Sequence, residues 1–386
     1  MNEKLKAFLK EARNTYLFAC AHVIMWRRRP LIIGVTGSVG KTTTKEVIAA
    51  MLEHPFAKTI VGRVWKSAEN MNDNELFPLA ILCYGHEPRS RAQDIRWCLK
   101  APFRAIAYAT FLRYPDTLVL EYAASIGGDV ARTAALAPPR IGIITAIGPA
   151  HLERFGTIAR VMDEKGALIR NLPPDGLAIL GADNEYTATM DNYTGAPVVK
   201  VPGRGRKLSE NIARVIGRYL RIPDAVTEAA LAQIPPVPGR LYVQNLGPLL
   251  LIDDAFNANP LSMTLGLDSL AELAPPGWRK IAVMGEMKEL GTEAARYHQE
   301  MAPIARARAD VVIGIGALAK NYSPDHWFAD SVQCANALPG ILKPRDCILV
   351  KGSHSVKLFH AMRCVKHLAR EWQASARAGA TAETSS

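Results

Sequence analysis

Short apolar runs recur along the chain and are separated by stretches with helical spacing. In the first two thirds, strands are predicted at residues 31–35, 117–120, 141–146 and 177–180, and helices are expected to begin at Thr42, near Asp129 and near Ile158. Apolar strands that alternate with helices are typical of a mostly parallel sheet flanked by helices. The pattern therefore predicts an α/β fold.

Residues 235–239, which read Pro-Pro-Val-Pro-Gly, interrupt this alternation. Proline continues neither a helix nor a central strand, so this segment is predicted to be a linker. Strands are predicted again at residues 249–252, 280–284, 310–315 and 347–350. A second, smaller α/β domain is therefore expected after the linker.

The predicted boundaries follow from these patterns. Residues 1–29 form an N-terminal helical segment, as one amphipathic helix or two short ones, residues 30–236 a central domain and residues 237–370 a C-terminal domain. Residues 371–386 are rich in Ala, Ser, Thr and Gly and are expected to be disordered. Residues 89–114, basic and aromatic, are predicted to be a helical insertion.

Composition narrows the classes of partner. The chain has 386 residues, of which 49% are hydrophobic and 22% charged, as in globular proteins. A net charge of +11 is interpreted mainly as a solvated basic surface, and attraction of phosphate-bearing substrates is the alternative. No basic run interleaved with aromatics and no finger motif occurs, so nucleic-acid binding is not expected. Six cysteines without a C-x-x-C pair suit a reducing cytoplasm and predict no structural zinc site.

The N-terminal segment shows neither a clear signal peptide nor the roughly 20 apolar residues that span a bilayer. Residues 16–26 are apolar and are followed by Arg27, Arg28 and Arg29. Such a segment is suited to weak contact with a membrane surface. A helix packed on the body of the protein is the favoured interpretation.

Residues 32–46, reading IIGVTGSVGKTTTKE, predict a strand, a phosphate-binding loop and a helix. Backbone N–H groups in such a loop cradle phosphate oxygens at the helix N-terminus. Lys41 is expected to contact the outer phosphates and the Thr42 hydroxyl to bind Mg²⁺. Val35 stands where the general motif has its first Gly. The loop predicts binding of a nucleoside triphosphate.

Three further side chains follow predicted elements. Glu121 ends an apolar strand, where a carboxylate beside the loop reaches Mg²⁺. His151 follows the strand at 141–146, at the edge where α/β sheets bind ligands. Lys165 lies on a predicted helix, where a lone lysine is ordinarily a solvated charge.

The order of motifs resembles the Mur ligase family of ATP-dependent amide-forming enzymes. Segments that match or resemble the family's motifs lie at residues 36–42 (T-G-[ST]-x-G-K-[ST]), 70–72 (N-x-N), 151–156 (H-L-E-x-F-G), 165–166 (K-G), 182–184 (A-D-[DN]), 239–240 (G-R), 253–260 (D-D-S-Y-N-A-N-P), 285–291 (G-x-M-x-E-L-G) and 351–353 (K-G-S). The resemblance implies a P-loop central domain and a Rossmann-like C-terminal domain.

The resemblance also implies a reaction and the residues that perform it. ATP phosphorylates a carboxylate, and an amine then attacks the acyl phosphate. The residues implied in catalysis are Lys41, Glu121, His151, Lys165 and Arg240. Thr42 and Glu121 are expected to hold one Mg²⁺, and His151 with a carbamylated Lys165 a second ion. Nucleotide contacts are implied for Thr36, Gly37, Ser38, Gly40, Lys41, Thr42, Thr43, Asn184, Arg240, Asp254, Asn257 and Asn259. We assign substrate contacts to Asn70, Asn72, His298, Lys351 and Ser353.

The chain departs from the family where substrates are expected. Only about thirty residues precede the phosphate strand, so the separate N-terminal UDP-sugar-binding domain of the family is not expected. Ala123 and Ser125 replace a Gly and an Asn, Leu76 a Gly, His354 an Arg or Asn, and Phe359 an acidic residue. These changes favour a ligase for a different or differently presented carboxylate.

Three alternatives remain open from the sequence. The first is a cell-wall precursor ligase whose missing domain another protein supplies. The second is a ligase that resembles folylpolyglutamate synthase, against which the segments at 253–260 and 285–291 argue. The third is a catalytically weak ATP-binding scaffold, against which the intact Lys41, Glu121, His151 and Lys165 argue.

Overall fold

The computed structural model describes residues 3–383. Its helices are α1 (Glu3–Arg28), α2 (Lys41–Leu52), α3 (Pro55–Val61), α4 (Phe77–Ile81), α5 (Arg91–Thr110), α6 (Asp129–Leu136), α7 (Leu152–Phe155), α8 (Ile158–Arg170), α9 (Gly205–Tyr219), α10 (Asp224–Ala232), α11 (Pro260–Leu273), α12 (Ala294–Arg308), α13 (Ser331–Ile341) and α14 (Phe359–Glu383). Its strands are β1 (Leu31–Thr36), β2 (Val64–Lys66), β3 (Thr117–Glu121), β4 (Ile141–Ile144), β5 (Leu177–Gly181), β6 (Val198–Val201), β7 (Tyr242–Asn245), β8 (Leu249–Asp254), β9 (Arg279–Gly285), β10 (Val311–Ile315), β11 (His326–Phe328) and β12 (Asp346–Lys351).

The strands form two sheets. The first has the order β2-β3-β1-β4-β5-β6 and is parallel throughout. The second has the order β11-β10-β9-β12-β8-β7 and is parallel except for the antiparallel β7–β8 pair. The predicted α/β class with a mostly parallel sheet and a second α/β domain is confirmed.

Burial explains why the central strands were predictable. All residues of β3, β4 and β5 are buried, and β1 is buried from its second residue onward. Strands covered on both faces are continuously apolar, because helices pack on each side of a parallel sheet. In the first sheet, Val47, Ile48 and Met51 of α2 join this core beside Ile212 and Ile216 of α9. The same packing places β1, and the loop that follows it, in the middle of the sheet.

The chain divides into two compact units. The first contains the residues up to Gly148 and Thr157–Ile234, and the second contains Pro149–Gly156 and the residues from Pro235 onward. The division at 234 and 235 lies beside the proline-rich linker. The sequence did not predict that Pro149–Gly156, which carry His151, group with the second unit.

Two predictions about the chain ends now have an outcome. Residues 3–28 form one helix rather than two. The expected disordered tail is wrong for residues 371–383, which continue α14, while residues 384–386 lie outside the described part. Alanine, arginine, glutamine and glutamate favour helix, and Gln373 donates to the carbonyl of Leu246 at 2.9 Å. This contact anchors the extension to the second unit.

Candidate active site

The phosphate loop occupies residues 37–40, between β1 and α2 of the first unit. Gly40 caps α2 with φ +86°, a conformation that glycine adopts without strain. The backbone N–H of Ser38 donates to the carbonyl of Ala146 at 2.7 Å, and Lys41 Nζ donates to the carbonyl of Gly37 at 2.9 Å. The segment that follows β4 therefore fixes the conformation of the loop, and α2 begins directly after it.

Thr145, which the sequence analysis did not single out, fixes this loop. Its hydroxyl lies 2.5 Å from the carbonyl of Val39 and 3.2 Å from that of Thr36. A Cβ on Gly37, whose φ is +149°, would lie 2.1 Å from this hydroxyl. Gly37 is therefore required by close packing as well as by its backbone conformation.

The Glu121 carboxylate and the Thr42 hydroxyl lie beside the phosphate loop and contact each other. The Thr42 hydroxyl donates to Glu121 Oε2 at 3.0 Å, and the Asn72 amide donates to Glu121 Oε1 at 2.9 Å. Glu121 is 3% exposed and ends β3, the strand beside β1. Thr42 and Glu121, which were expected to hold one Mg²⁺ together, thus lie within hydrogen-bond distance of each other. Asn72 orients this carboxylate, a role that differs from the substrate contact we assigned to it.

Lys45, which was not among the predicted site residues, also lies close to Glu121. Its ammonium is fully buried, donates to the carbonyl of Ser67 at 2.7 Å, and lies 4.0 Å from Glu121 Oε2. The Ser67 hydroxyl in turn accepts from the backbone N–H of Glu121 at 3.2 Å. Lys45 follows Lys41 by four residues, the spacing that places two side chains on one helix face. That spacing was the signal available in the sequence.

Lys165 is buried on α8 in the same unit, with 2% of its surface exposed. Burial and the nearby charge of Lys41 lower the pKa of its amine from 10.5 to about 7, against the opposing attraction of Glu164 and Glu121. A lysine with this pKa is largely neutral just above pH 7. The sequence alone favoured a solvated charge here, and the structure contradicts that interpretation.

Two carboxylates build the turn between Glu121 and α6. Glu164, the neighbour of Lys165, accepts from the backbone N–H groups of Gly128 and Val130 at 2.7 and 2.8 Å. Asp129 accepts from the N–H groups of Ser125 and Ile126 at 2.7 and 2.8 Å. The turn thus keeps a defined conformation although Ala123 and Ser125 differ from the family pattern.

Other predicted nucleotide residues of the first unit have contacts within the protein. The Thr36 hydroxyl donates to the carbonyl of Tyr122 at 2.7 Å. Asn184 binds both the N–H and the carbonyl of Ile147, at 3.1 and 2.9 Å. The Ser38 hydroxyl lies 3.0 Å from the carbonyl of Gly148. These side chains shape the loops around the phosphate loop.

Thr43 and Asn70 have less defined environments. Thr43 is half-buried on α2, and Asn70 is exposed with φ +65°. Asparagine tolerates this left-handed conformation better than most residues. The structure gives neither residue a contact that tests its predicted role.

In the second unit, His151 pairs with a carboxylate. His151 has φ +54° at the start of α7, and its Nδ1 lies 2.5 Å from Glu289 Oε2. The hydrogen bond to His151 lowers the pKa of the Glu289 carboxyl below its usual value. A histidine held through one ring nitrogen presents the other to a metal, the arrangement found in many metal sites. Glu289 lies in the matched segment 285–291, although its motif position did not predict this role.

A cavity of about 680 Å³ lies beside this pair in the second unit. It is lined by Leu152, Glu153 and Gly156, by residues 287–294 and by Leu318. Part of its wall is fixed by the backbone N–H of Glu153, which donates to the carbonyl of Glu289 at 3.1 Å. The cavity has the size of a small-molecule site.

Lys351 and Asp254 form a buried ion pair. Lys351 Nζ lies 2.6 Å from Asp254 Oδ2 and donates to the carbonyl of Asn257 at 3.1 Å, while Asp254 Oδ1 accepts from the N–H of Leu241. Lys351 is 1% exposed. These contacts give each charge a partner within the protein, and the predicted amine contact of Lys351 and nucleoside contact of Asp254 remain predictions.

Asn259 and His298 also have structural roles. The Asn259 side chain caps α11 in a capping box with Ser262. His298 is fully buried, with Nε2 accepting from the N–H of Met287 at 3.0 Å and Nδ1 lying 2.6 Å from the carbonyl of Ala294. The substrate contact assigned to His298 is therefore wrong, because both ring nitrogens bind backbone inside the core.

The remaining predicted residues of the second unit lie nearer the surface or in turns. Arg240 lies over the ring of Phe256, 3.8 Å from its centroid. Asn257 is exposed, and its side chain accepts from the N–H of Ala258. The Ser353 hydroxyl accepts from the N–H of Lys288 at 3.0 Å. Ser353 therefore supports the loop that carries Glu289.

Two family models match the chain. The Mur ligase middle domain matches residues 35–84 and 106–217, and the Mur ligase glutamate ligase domain matches residues 239–354. The UDP-N-acetylmuramoyl-tripeptide–D-alanyl-D-alanine ligase of Escherichia coli K12 is 28% identical, over 90% of this chain and 80% of the relative. The enzyme of that name from Mycobacterium tuberculosis H37Rv is 31% identical, over 85% of this chain and 71% of the relative.

The fold has solved counterparts. The MurF ligase of Thermotoga maritima, crystallised with ADP, superimposes with a TM-score of 0.75 at 24% identity, covering 93% of this chain and 84% of that chain. Together the phosphate loop, the two sheets and the matched segments define one class. The chain belongs to the Mur ligase family.

Proposed function

We propose that this chain is an ATP-dependent carboxylate–amine ligase that forms ADP, phosphate and an amide bond. The observation that carries the proposal is the grouping of the phosphate loop, the Thr42–Glu121 pair and the buried Lys165 in one unit. Family membership supports it, since the two relatives are named as ligases that join a peptide carboxylate to D-alanyl-D-alanine. The carboxylate attacks the γ-phosphorus of ATP, ADP leaves, and the amine then displaces phosphate from the acyl phosphate.

Positioning and charge neutralisation are the work of this chain's residues. The backbone N–H groups of the loop and Lys41 hold the phosphates, as in phosphate loops generally. Arg240, oriented by the ring of Phe256, is proposed to bind a phosphate of the nucleotide. The ATP phosphates, the carboxylate and the leaving phosphate are all anionic, so preorganised positive charge stabilises the transition states in which they react.

Mg²⁺ fits the residues beside the loop. Hydroxyl and carboxylate oxygens are the ligands that Mg²⁺ prefers, and it usually takes only one or two from the protein and the rest from phosphates and water. Thr42 and Glu121 supply such a pair, already 3.0 Å apart. Among the described residues, no group of three or more His, Cys, Asp or Glu side chains is placed to hold a metal ion. When bound, Mg²⁺ would neutralise charge on the transferring phosphoryl group.

Lys165 is proposed to carry a carbamate. Its neutral amine attacks CO₂, forming an N–C bond and releasing one proton, and the product is an anionic oxygen ligand. The lowered pKa of about 7 supports this step, because only the neutral amine reacts. His151, oriented by Glu289, is proposed as a further ligand for a second ion.

The substrate is proposed to be a carboxylate other than the standard cell-wall precursor, or that precursor presented differently. Ala123 and Ser125, in place of the family's Gly and Asn, support this in the first unit.

The six cysteines are free thiols, which supports a cytoplasmic location.

A phosphate-release assay tests the proposal. UDP-N-acetylmuramoyl-tripeptide with D-alanyl-D-alanine is tested first, followed by free amino acids and peptides in carboxylate–amine pairs. Phosphate release that needs both partners, and that is lost in Lys41→Met, supports a ligase. ATP binding with no acyl phosphate trapped from any carboxylate would instead indicate a scaffold.

A further inference from the structure

The helices α1 and α5 of the first unit lie side by side. Arg13 Nε donates to Asp94 at 2.9 Å, Tyr16 donates to the carbonyl of Cys98 at 2.9 Å, and Arg28 donates to the carbonyl of Tyr108 at 2.6 Å. Residue numbers rise together along both helices in these contacts, so the helices are parallel. Each also has an inner face buried in the unit, with Leu17 and Ile24 on α1 and Trp97 on α5.

Each helix also carries an apolar stripe on its exposed side. On α5 the stripe consists of Ile95, Leu99, Phe103 and Ile106, and on α1 of Leu5, Phe8, Leu9, Tyr16, Val23 and Trp26. The spacings of three, four and seven residues place each set on one helix face. Phe103 is 75% exposed, Trp26 67% and Phe8 66%. Since the two helices are neighbours, the stripes form one extended surface, named here the α1–α5 surface.

The α1–α5 surface is a contiguous patch of exposed apolar and aromatic side chains, rather than a scatter of single exposed residues. Single exposed apolar residues are normal, whereas contiguous apolar patches on a protein indicate an interaction site. Most of the surface lies outside the matched family segments, because α1 precedes residue 35 and residues 85–105 fall between the segments 35–84 and 106–217. The common ligase fold therefore does not account for it.

Charge indicates what the surface binds. Among the residues of these two helices and their ends whose exposure is described, the exposed basic residues are Lys10, Arg27, Arg29, Arg89, Arg91, Arg96, Lys100 and Arg113, whereas the exposed acidic residues are Glu11 and Glu87. Apolar and aromatic side chains bordered by Lys and Arg are the composition of helices that lie in the headgroup region of an anionic bilayer. A second copy of the chain would bring like charges together, which opposes self-association here.

We propose that the α1–α5 surface binds the surface of an anionic lipid bilayer, with α1 and α5 lying in its plane. Among the described residues, no helix combines the length and apolarity needed to cross a bilayer. The aromatic side chains would enter the boundary between headgroups and acyl chains, and Arg96 and Lys100 would contact lipid phosphates. The ligase would then work on carboxylates that are present at the membrane.

Vesicle sedimentation of the full chain tests this proposal. Binding to phosphatidylcholine vesicles that contain phosphatidylglycerol is expected, with much weaker binding to phosphatidylcholine alone and a loss on raising the salt concentration. The double variant Arg96→Glu/Lys100→Glu should bind at least about 25-fold more weakly, since each basic residue near the surface contributes roughly fivefold. Leu99→Ser/Phe103→Ser should lose at least about tenfold.

Matched controls come from exposed residues away from this surface. Lys58→Glu/Lys343→Glu makes the same charge change, and Leu273→Ser/Val332→Ser likewise replaces two exposed apolar side chains by serine. Both variants should bind vesicles as the parent does. Equal binding by all four double variants would overturn the proposal. So would a dimer in sedimentation velocity that Leu99→Ser/Phe103→Ser converts to monomer while vesicles bind neither form. Phosphate release measured without vesicles should be equal in every variant, which separates this test from that of the proposed ligase activity.

Discussion

Replacing Lys165 by Met is expected to stabilise the protein at neutral pH while it abolishes turnover. The substitution keeps an unbranched side chain of similar length and removes only the buried amine. In the folded chain the pKa of this amine is about 7, whereas its ordinary value is 10.5. The folded state therefore disfavours the charged form that the unfolded chain adopts below pH 10.5.

The sign and size follow from proton linkage. Between pH 7 and 10.5 the unfolded chain binds more protons at this lysine than the folded chain, so stability rises with pH in that window. At pH 8, two and a half pH units below the unfolded pKa, neutralising the amine costs about 3 kcal/mol, and at pH 10 it costs less than about 1 kcal/mol. Lys165→Met should remove this cost, so its gain over the parent grows steadily as the pH is lowered from 10 to 7, from less than about 1 kcal/mol to about 4 kcal/mol.

Chemical unfolding in CO₂-free buffers between pH 7 and 10 measures this difference. Exclusion of CO₂ keeps the parent's amine free of carbamate. Lys58→Met replaces an exposed lysine of the same unit and should follow the parent at every pH. A Lys165→Met variant that keeps the parent's dependence on pH, or that is destabilised equally at pH 8 and pH 10, would contradict a buried neutral amine at this position.

Three other substitutions test the site. Gly37→Ala should abolish ATP binding measured by calorimetry, because the new Cβ would lie 2.1 Å from the Thr145 hydroxyl; unchanged affinity would contradict this packing. Thr42→Val should lower turnover at least about 100-fold and weaken its dependence on Mg²⁺ concentration, with unfolding changed by only about 1 kcal/mol; Thr44→Val, on the same helix with its hydroxyl bonded to Ser209, is the control, and equal effects on turnover would contradict the role of Thr42. Lys351→Met should destabilise by about 3–5 kcal/mol because it leaves the Asp254 carboxylate buried without its partner, and adding Asp254→Asn should recover much of the loss in denaturant unfolding; additive losses would contradict the pairing.

The sequence determined the central features of the fold. Strands β1, β3, β4 and β5 have apolar interiors because helices cover both faces of a parallel sheet, and polar residues such as Glu121 stand only at their ends. The edge strands β2, β6, β7 and β11 were not predicted. They are three or four residues long and partly exposed, so no apolar run marks them.

The sequence also identified chemical groups without their partners. Thr42 and Glu121 were expected together, because a loop after one strand and a carboxylate ending another lie at the same edge of a parallel sheet. Motif spacing could not show that His298 and Lys351 are buried and already bonded. The identity of a histidine or lysine in a motif does not reveal whether its side chain contacts substrate or is buried in the core.

Only the tertiary structure decided the state of Lys165 and the character of the α1–α5 surface. The pKa of a lysine depends on its exposure to water and on the charges around it. For Lys165 the charges belong to Lys41, Glu121 and Glu164, which lie at different points of the chain. Whether an apolar helix face is buried or exposed likewise depends on which elements pack against it in the folded protein. The sequence pattern thus determined which segments form strands and helices and which chemical groups they contain. Packing decided which charges are removed from water and which apolar side chains remain exposed.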